Sequence, residues 1–431
     1  MNKLARVTLR WPALSVLALL AFVAVLFLPT VAAAPGEIVI TASTYQNRYP
    51  NELEFNLSAR SDSEIREALL YYSFAGQPAK TSVRPEFTPG QEVTVQWIWN
   101  TKRTFAPPAT DVTYYWTLKN AAGIEASTTP VTITLDDTRF QWNKVTEGKV
   151  SLYWYSGDEA SARKLLKEAV RAVNDLARDA GIGLDEPVKL LIYGSQRDML
   201  GAMEKTANEW TGGRSYSEFG VVVIAVDPTP RGMDFGLRAV PHELSHVVIH
   251  RATDNPYGDL PHWLNEGLAM HAEGPIEANY KDALDRAIKD RKLFTLRTIS
   301  SNFPADGEAA RLSYAQSASV VAYMLNTYGP EKMGKLLSIF KEGSTTDNAL
   351  KQAYGFTMAE LENQWRASIG AAVQPTPAPQ AAPPPANAPV PVTAPAPTAA
   401  SGVPQWIIIA VVVVAILVIV GAAGVARMRR S

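Results

Sequence analysis

The chain has no cysteine among its 431 residues and only five histidines, and 41 basic against 42 acidic residues leave a formal net charge of −1. Disulfide frameworks, thiolate metal sites and cysteine nucleophiles are thereby excluded. Stability must come from hydrophobic cores, which domains of this size can supply. The charge balance offers no basic excess of the kind that grips phosphates, so no nucleic-acid partner is expected. With thiolates absent, histidine and carboxylate are the donors left for a transition metal.

Long apolar runs are scarce, and both lie at the ends. Residues 1–34 carry Lys3, Arg6 and Arg10, an apolar run from Trp11 to Leu28, and then Pro29 and the small residues Ala32, Ala33 and Ala34. That is the pattern of a secretory signal peptide, with Pro35 favouring a cut after Ala33; uncleaved, the segment would stay as an anchor. Residues 405–426 contain an unbroken apolar stretch from Trp406 to Ala426, long enough for a helix to span a bilayer core of about 30 Å. Arg427, Arg429 and Arg430 follow, placing residues 427–431 in the cytoplasm as a short tail. Residues 371–404 are dominated by proline and alanine and read as an extended linker, either a semi-rigid stalk or a plain tether. The expectation is a single-pass cell-membrane protein whose ectodomain lies outside the cytoplasm.

Within the ectodomain the pattern changes once. Residues 37–44, 52–58, 68–73, 92–100, 112–119 and 130–135 alternate or are rich in β-branched and aromatic side chains, with turn residues between them. Six or seven short strands over residues 35–140 predict an immunoglobulin-like or fibronectin-like β-sandwich. Trp97, Trp99, Tyr114, Tyr115 and Trp116 are read as core and cross-strand packing rather than as a carbohydrate platform. The sandwich's own partner is not legible. Residues 141–370 alternate instead: strands at 150–155, 188–193 and 220–226, and helices at 158–180 and 196–208. Helices at 235–251, around Glu266, and at 311–328, 331–342, 345–352 and 358–370 follow. The apolar strand 219–225 has two open readings, a cleft-rim edge that an extended peptide could extend, or a buried central strand.

The five histidines all fall between His242 and His271. In Pro241-His242-Glu243-Leu244-Ser245-His246 two of them are four residues apart. On a helix that spacing puts both imidazoles on one face, about 6 Å apart along the axis, where they can share one ion. A catalytic zinc takes three protein ligands and leaves one position for water. Trp263-Leu264-Asn265-Glu266-Gly267-Leu268-Ala269 supplies Glu266 as the third donor. His250 would lie about 12 Å from His242 on a straight helix, too far to join. The longer metzincin pattern needs glycine and histidine where Ile249 and Ala252 stand, and is excluded.

His-Glu-x-x-His followed by Asn-Glu-Gly-Leu-Ala resembles the gluzincins of the peptidase MA clan, and most of all the bacterial peptidase MA-like domain proteins. The second motif is closer to the aminopeptidase version, whose later glutamate Glu273 reproduces. The resemblance implies an α+β zincin fold with a helical C-terminal lobe, and one catalytic Zn²⁺ held by His242, His246 and Glu266. It further implies Glu243 as general base, a tyrosine donor such as Tyr314, and Asn265 and Glu273 orienting the ligands, with His271 as a further candidate. Gly201-Ala202-Met203-Glu204-Lys205 resembles the aminopeptidase motif that holds a free amino terminus, but has lysine where asparagine is required and falls in a helical pattern. The expected function is zinc-dependent hydrolysis of peptide bonds outside the cytoplasm. The alternatives are a surface adhesion or sensory protein with a vestigial or structural zinc site, and a zinc hydrolase of a non-peptide substrate.

Overall fold

Polar and apolar residues alternate along the first ectodomain segment, and the strands they form fold back on themselves. The computed structural model describes residues 36–77, 79–204 and 212–373; the expected signal peptide, membrane span and cytoplasmic tail, and all but the first three residues of the linker, lie outside them. Among the described residues no helix is long and apolar enough to cross a membrane.

The first sheet comprises β1 (Ile38–Arg48), β2 (Glu52–Phe74), β3 (Thr81–Val83), β4 (Gly90–Asn100), β5 (Asp111–Asn120), β6 (Glu125–Ser127) and β7 (Val131–Thr134). Residues 52–58 and 68–73, expected as two strands, are parts of the single 23-residue strand β2. Its first half pairs with β1 and β4, its second half with β3 and β5, all antiparallel. The register slips where the polar run Arg60-Ser61-Asp62-Ser63-Glu64 has no apolar face to hold it. Beyond the slip the two halves face each other: Phe55 lies 4.8 Å from Tyr114 of β5, and Tyr72 lies 5.2 Å from Trp99 of β4. The two separate sheets expected of an immunoglobulin-like sandwich are thus one continuous folded sheet. Trp99, Tyr114 and Trp116 are buried in it, whereas Tyr115 stacks on Tyr71, one position out of phase with the core.

The second sheet has the order β11 (Gly213–Tyr216), β12 (Val221–Ala225), β10 (Val188–Tyr193), β9 (Val150–Trp154), β8 (Asn143–Glu147). Its three middle strands are parallel and the two outer ones antiparallel to their neighbours. Strand periodicity sends Leu190, Ile192, Val222 and Ile224 to one face, where they pack with Leu165, Val240 and Leu244 of two helices. Leu191, Tyr193, Val221 and Val223 go to the other face and join the core of the first sheet. Burial on both faces is why β10 and β12 read as unbroken apolar runs. It also decides between the two readings of 219–225: β12 is an inner strand, and β11 occupies the edge.

That shared core spans residue 140, where the sequence pattern changes. Tyr49 is buried, and its hydroxyl lies 3.0 Å from the carbonyl oxygens of both Ala106 and Ala202, one on either side of the junction. Lys189 crosses the junction in the other direction to Asp111 at 2.7 Å. The β-rich domain is therefore a wall of the second sheet.

The helices are α1 (Glu159–Ala180), α2 (Gln196–Ala202), α3 (Pro230–Thr253), α4 (His262–Glu273), α5 (Ala278–Lys289), α6 (Gly307–Tyr328), α7 (Pro330–Lys341), α8 (Thr346–Tyr354) and α9 (Met358–Ser368). Capping fixes the ends of the two that cover the second sheet. Asp158 accepts from the Ser161 amide and Gly181 closes α1 at φ 67°, while Thr229 caps α3 with Pro230 at its first turn. Helix α3 lies between two cores: Val240, Leu244 and Val247 face the sheet, and Val248 and Ile249 face a helical lobe with Trp263, Leu268, Val320 and Trp365. The motif residues of α3 lie at that junction.

Candidate metal centre and cleft

Helix α3 presents His242 and His246 one turn apart, and α4 packs against it carrying Glu266. The approach of α4 to α6 is set by Gly267, where a Cβ would lie 2.5 Å from Val321 Cγ2 and 2.6 Å from the Ser317 carbonyl oxygen. Only a residue without a side chain allows that contact, and it brings Tyr314, one turn before Ser317 on α6, to 6.3 Å from the His242 ring. Gly267→Ala is expected to destabilise the protein by about 1–3 kcal/mol through overpacking, read as a lowered denaturant midpoint in urea unfolding.

His242 Nε2 and His246 Nε2 are 3.3 Å apart, and Glu266 Oε2 lies 3.4 Å from the first and 3.7 Å from the second. Nitrogen and oxygen donors at ~2.0–2.1 Å from a tetrahedral ion are separated by about 3.3–3.4 Å, so these three atoms outline one face of such a shell. Among the described residues this is the one group of histidine, aspartate and glutamate side chains arranged to hold a metal. Glu266 is buried, and its Oε2 has no hydrogen-bond partner. A buried carboxylate oxygen left unpaired is costly unless a cation takes it. The donor set fits zinc.

The outer nitrogens of both histidines are held. His242 Nδ1 is 2.8 Å from Glu273 Oε1, and Arg238 Nη2 donates to Glu273 Oε2 at 2.9 Å. His246 Nδ1 is 3.0 Å from Asn265 Oδ1. Each bond requires a proton on Nδ1, which leaves Nε2 free to bind a metal. Burial alone would lower the pKa of His242, but Glu266 and Glu273, then Glu243, overrule it and raise it well above the ordinary value. Burial likewise opposes ionisation of Glu266, and His246 and His242 outweigh it, bringing it down to about 2. The site is electrostatically built for a cation at the Nε2 face. Glu273→Gln removes the anionic partner of His242 and is expected to weaken zinc binding about 10- to 100-fold, measured by competition with a chromophoric chelator.

Glu243, between the two histidines, faces a cleft of about 670 Å³ lined by Gly213, Phe235, Arg238, Met270, Tyr280 and Tyr314 among others. Burial, then the fields of Glu266 and Glu243, raise the pKa of Tyr314, so its hydroxyl remains a donor at neutral pH. The structure thus gathers His242, Glu243, His246, Asn265, Glu266, Glu273 and Tyr314 into one site. It leaves out His271, which pairs with Asp179 at 2.8 Å, and His250, which lines a separate groove near Asp254. Glu204 is tied to Arg214 at 2.9 Å and to the Tyr216 hydroxyl at 2.6 Å, so it is not free to hold an amino terminus. Ser215, Arg238 and Tyr280 were not anticipated. Arg238 could have been found four residues before His242 on the same helical face, but Ser215 and Tyr280 stand on a short strand and a helix outside both motifs.

A family model described as the peptidase MA superfamily matches residues 168–371. The match supports a metallopeptidase-type hydrolase as the coarse reading of that segment. No curated protein matches the chain. Among solved structures, the M1 zinc metallopeptidase from Deinococcus radiodurans is similar at 14% identity and a TM-score of 0.33, over 80% of this chain and 98% of that one. OgpA from Akkermansia muciniphila is similar at 9% identity and a TM-score of 0.19, over 24% of this chain and 30% of that one. Overlaps of this quality carry no weight for fold or activity, which rest on the residues themselves.

Proposed function

We propose that the chain is a membrane-anchored, extracytoplasmic zinc metallopeptidase. The observation that carries this reading is the donor face of His242 Nε2, His246 Nε2 and Glu266 Oε2, with an unpaired buried oxygen and a carboxylate, Glu243, beside it. A purely structural zinc site closes its fourth position and has no use for such a carboxylate. When bound, the ion would lower the pKa of a water molecule to about 7 and polarise the scissile carbonyl. Glu243 takes the water's proton on its carboxylate and delivers it to the leaving amine. Tyr314 donates its hydroxyl to the oxyanion that develops on the former carbonyl. Asn265 and Glu273 hold the imidazoles in the tautomer and orientation the metal needs.

The anchor rests on residues 405–426 and the arginines after them, and export rests on residues 1–34. The β-rich domain acts as a wall for the catalytic sheet, a role supported by the core they share. Full-length protein in detergent should hold one zinc per chain and cleave members of a peptide library. Cleavage should stop on chelation and return with zinc. Zinc without cleavage of any peptide would refute the peptidase reading, and a failure to bind zinc would refute the ligand set.

A further inference from the structure

Glu243 is gripped from outside its own helix. Strand β11 is an edge of the second sheet, and its period of two points Gly213 and Ser215 at α3, while Arg214 and Tyr216 point away to Glu204. Ser215 Oγ lies 2.7 Å from Glu243 Oε2 and 2.6 Å from the Glu243 carbonyl oxygen. Gly213 lines the same side chain: a Cβ there would come within 3.0 Å of Glu243 Cγ and 3.2 Å of Oε1. The carboxylate is thus held at one oxygen by a hydroxyl, while its other oxygen runs along a residue with no side chain. The far side of the strand is fixed too, since Phe105 of the β-rich domain packs on Tyr216 at 5.5 Å.

We propose that Ser215, in the space Gly213 leaves, is the positioning residue for the general base, fixing Glu243 so that Oε1 is the oxygen offered to the cleft. The inference rests on the peptidase reading for its kinetic consequence but not for its structural one. Ser215 has one hydrogen for two acceptors, and the charged Oε2 takes it in preference to the neutral Glu243 carbonyl; the proton taken from water goes to Oε1. The β-rich domain contributes through the chain of contacts from Phe105 to Tyr216 to the strand, which gives the wall a stake in the geometry of the base.

The test compares full-length parent, Ser215→Ala, Ser215→Thr and Gly213→Ala, each assayed for zinc content, kcat and KM, with crystal structures of the zinc-loaded parent and Ser215→Ala. Ser215→Ala should keep its zinc and lose about 10- to 100-fold in kcat, the rate equivalent of one hydrogen bond to a charged group. KM should change by less than about two-fold, because the loss is confined to the transition state. Ser215→Thr, which restores the hydroxyl on a strand-compatible side chain, should recover most of kcat, and Gly213→Ala should lose kcat without losing zinc. The Glu243 carboxylate should be displaced in the Ser215→Ala structure. Unchanged kcat in Ser215→Ala, or Glu243 in its parental position there, overturns the proposal. A parent that binds zinc but cleaves nothing refutes the peptidase reading alone, and the crystal structures then still decide whether Ser215 positions Glu243.

Discussion

Glu243→Gln should retain one zinc per chain and lose about 10²- to 10⁴-fold in the rate of peptide hydrolysis, the range general acid–base catalysis contributes. The substitution is nearly isosteric, and the Ser215 hydroxyl that reaches Oε2 at 2.7 Å can still donate to the amide oxygen. Packing and the three donor atoms should therefore survive. What disappears is a group able to accept the water's proton, so the deficit should appear in kcat, with KM little altered. The paired readings are metal content by elemental analysis and initial rates on one cleaved peptide. Full activity with zinc in place would remove Glu243 from the mechanism and return the site to a structural or binding role.

How much of the fold was legible depended on whether a pattern had one cause or two. Helix α1 was plain because its apolar stripe, its Asp158 cap and its Gly181 stop agree, and they are local. The folded first sheet was not, since Arg60 to Glu64 looks like a turn between two strands, and only the pairing of both halves of β2 with different partners keeps it extended. The run Val221–Ala225 was ambiguous for a related reason: apolar residues at every position mean burial on both faces, without saying by what. The second face is covered by the β-rich domain, a contact between residues more than a hundred positions apart.

The candidate site divides along the same line. His242, Glu243 and His246 follow from helix geometry within five residues, and Glu266 follows from the chemistry of a third zinc donor. Arg238, which braces Glu273, shares the helix with His242 and needed only one further turn of the same reasoning. Ser215 and Tyr280 needed tertiary information. Gly212-Gly213-Arg214-Ser215 reads as a loop, because two glycines disfavour a strand unless a neighbouring strand and helix hold it. His271 misled in the opposite direction: it follows Glu266 by five residues on α4, which turns it away from the metal face and toward Asp179.

Glu266→Gln should abolish zinc retention, an effect larger than the roughly 10- to 100-fold expected for an outer partner such as Glu273. The amide that replaces the carboxylate brings no charge to a face that already holds two neutral imidazole donors, and its NH₂ end cannot ligate a metal. Metal-free protein carries a second signature. Burial disfavours the Glu266 carboxylate, yet His246 and His242 bring its folded pKa down to about 2. A depressed pKa stabilises the fold above the unfolded value and ceases to do so as pH falls through the folded one. The metal-free parent should then unfold at higher urea than metal-free Glu266→Gln at neutral pH, with the gap closing from about pH 4.3 down toward pH 2. Equal midpoints at pH 7 would mean that Glu266 draws no stabilisation from its surroundings in the metal-free fold. Zinc retained by the variant would mean that the third donor is another residue, and the donor face drawn by the 3.3, 3.4 and 3.7 Å separations would lose its meaning.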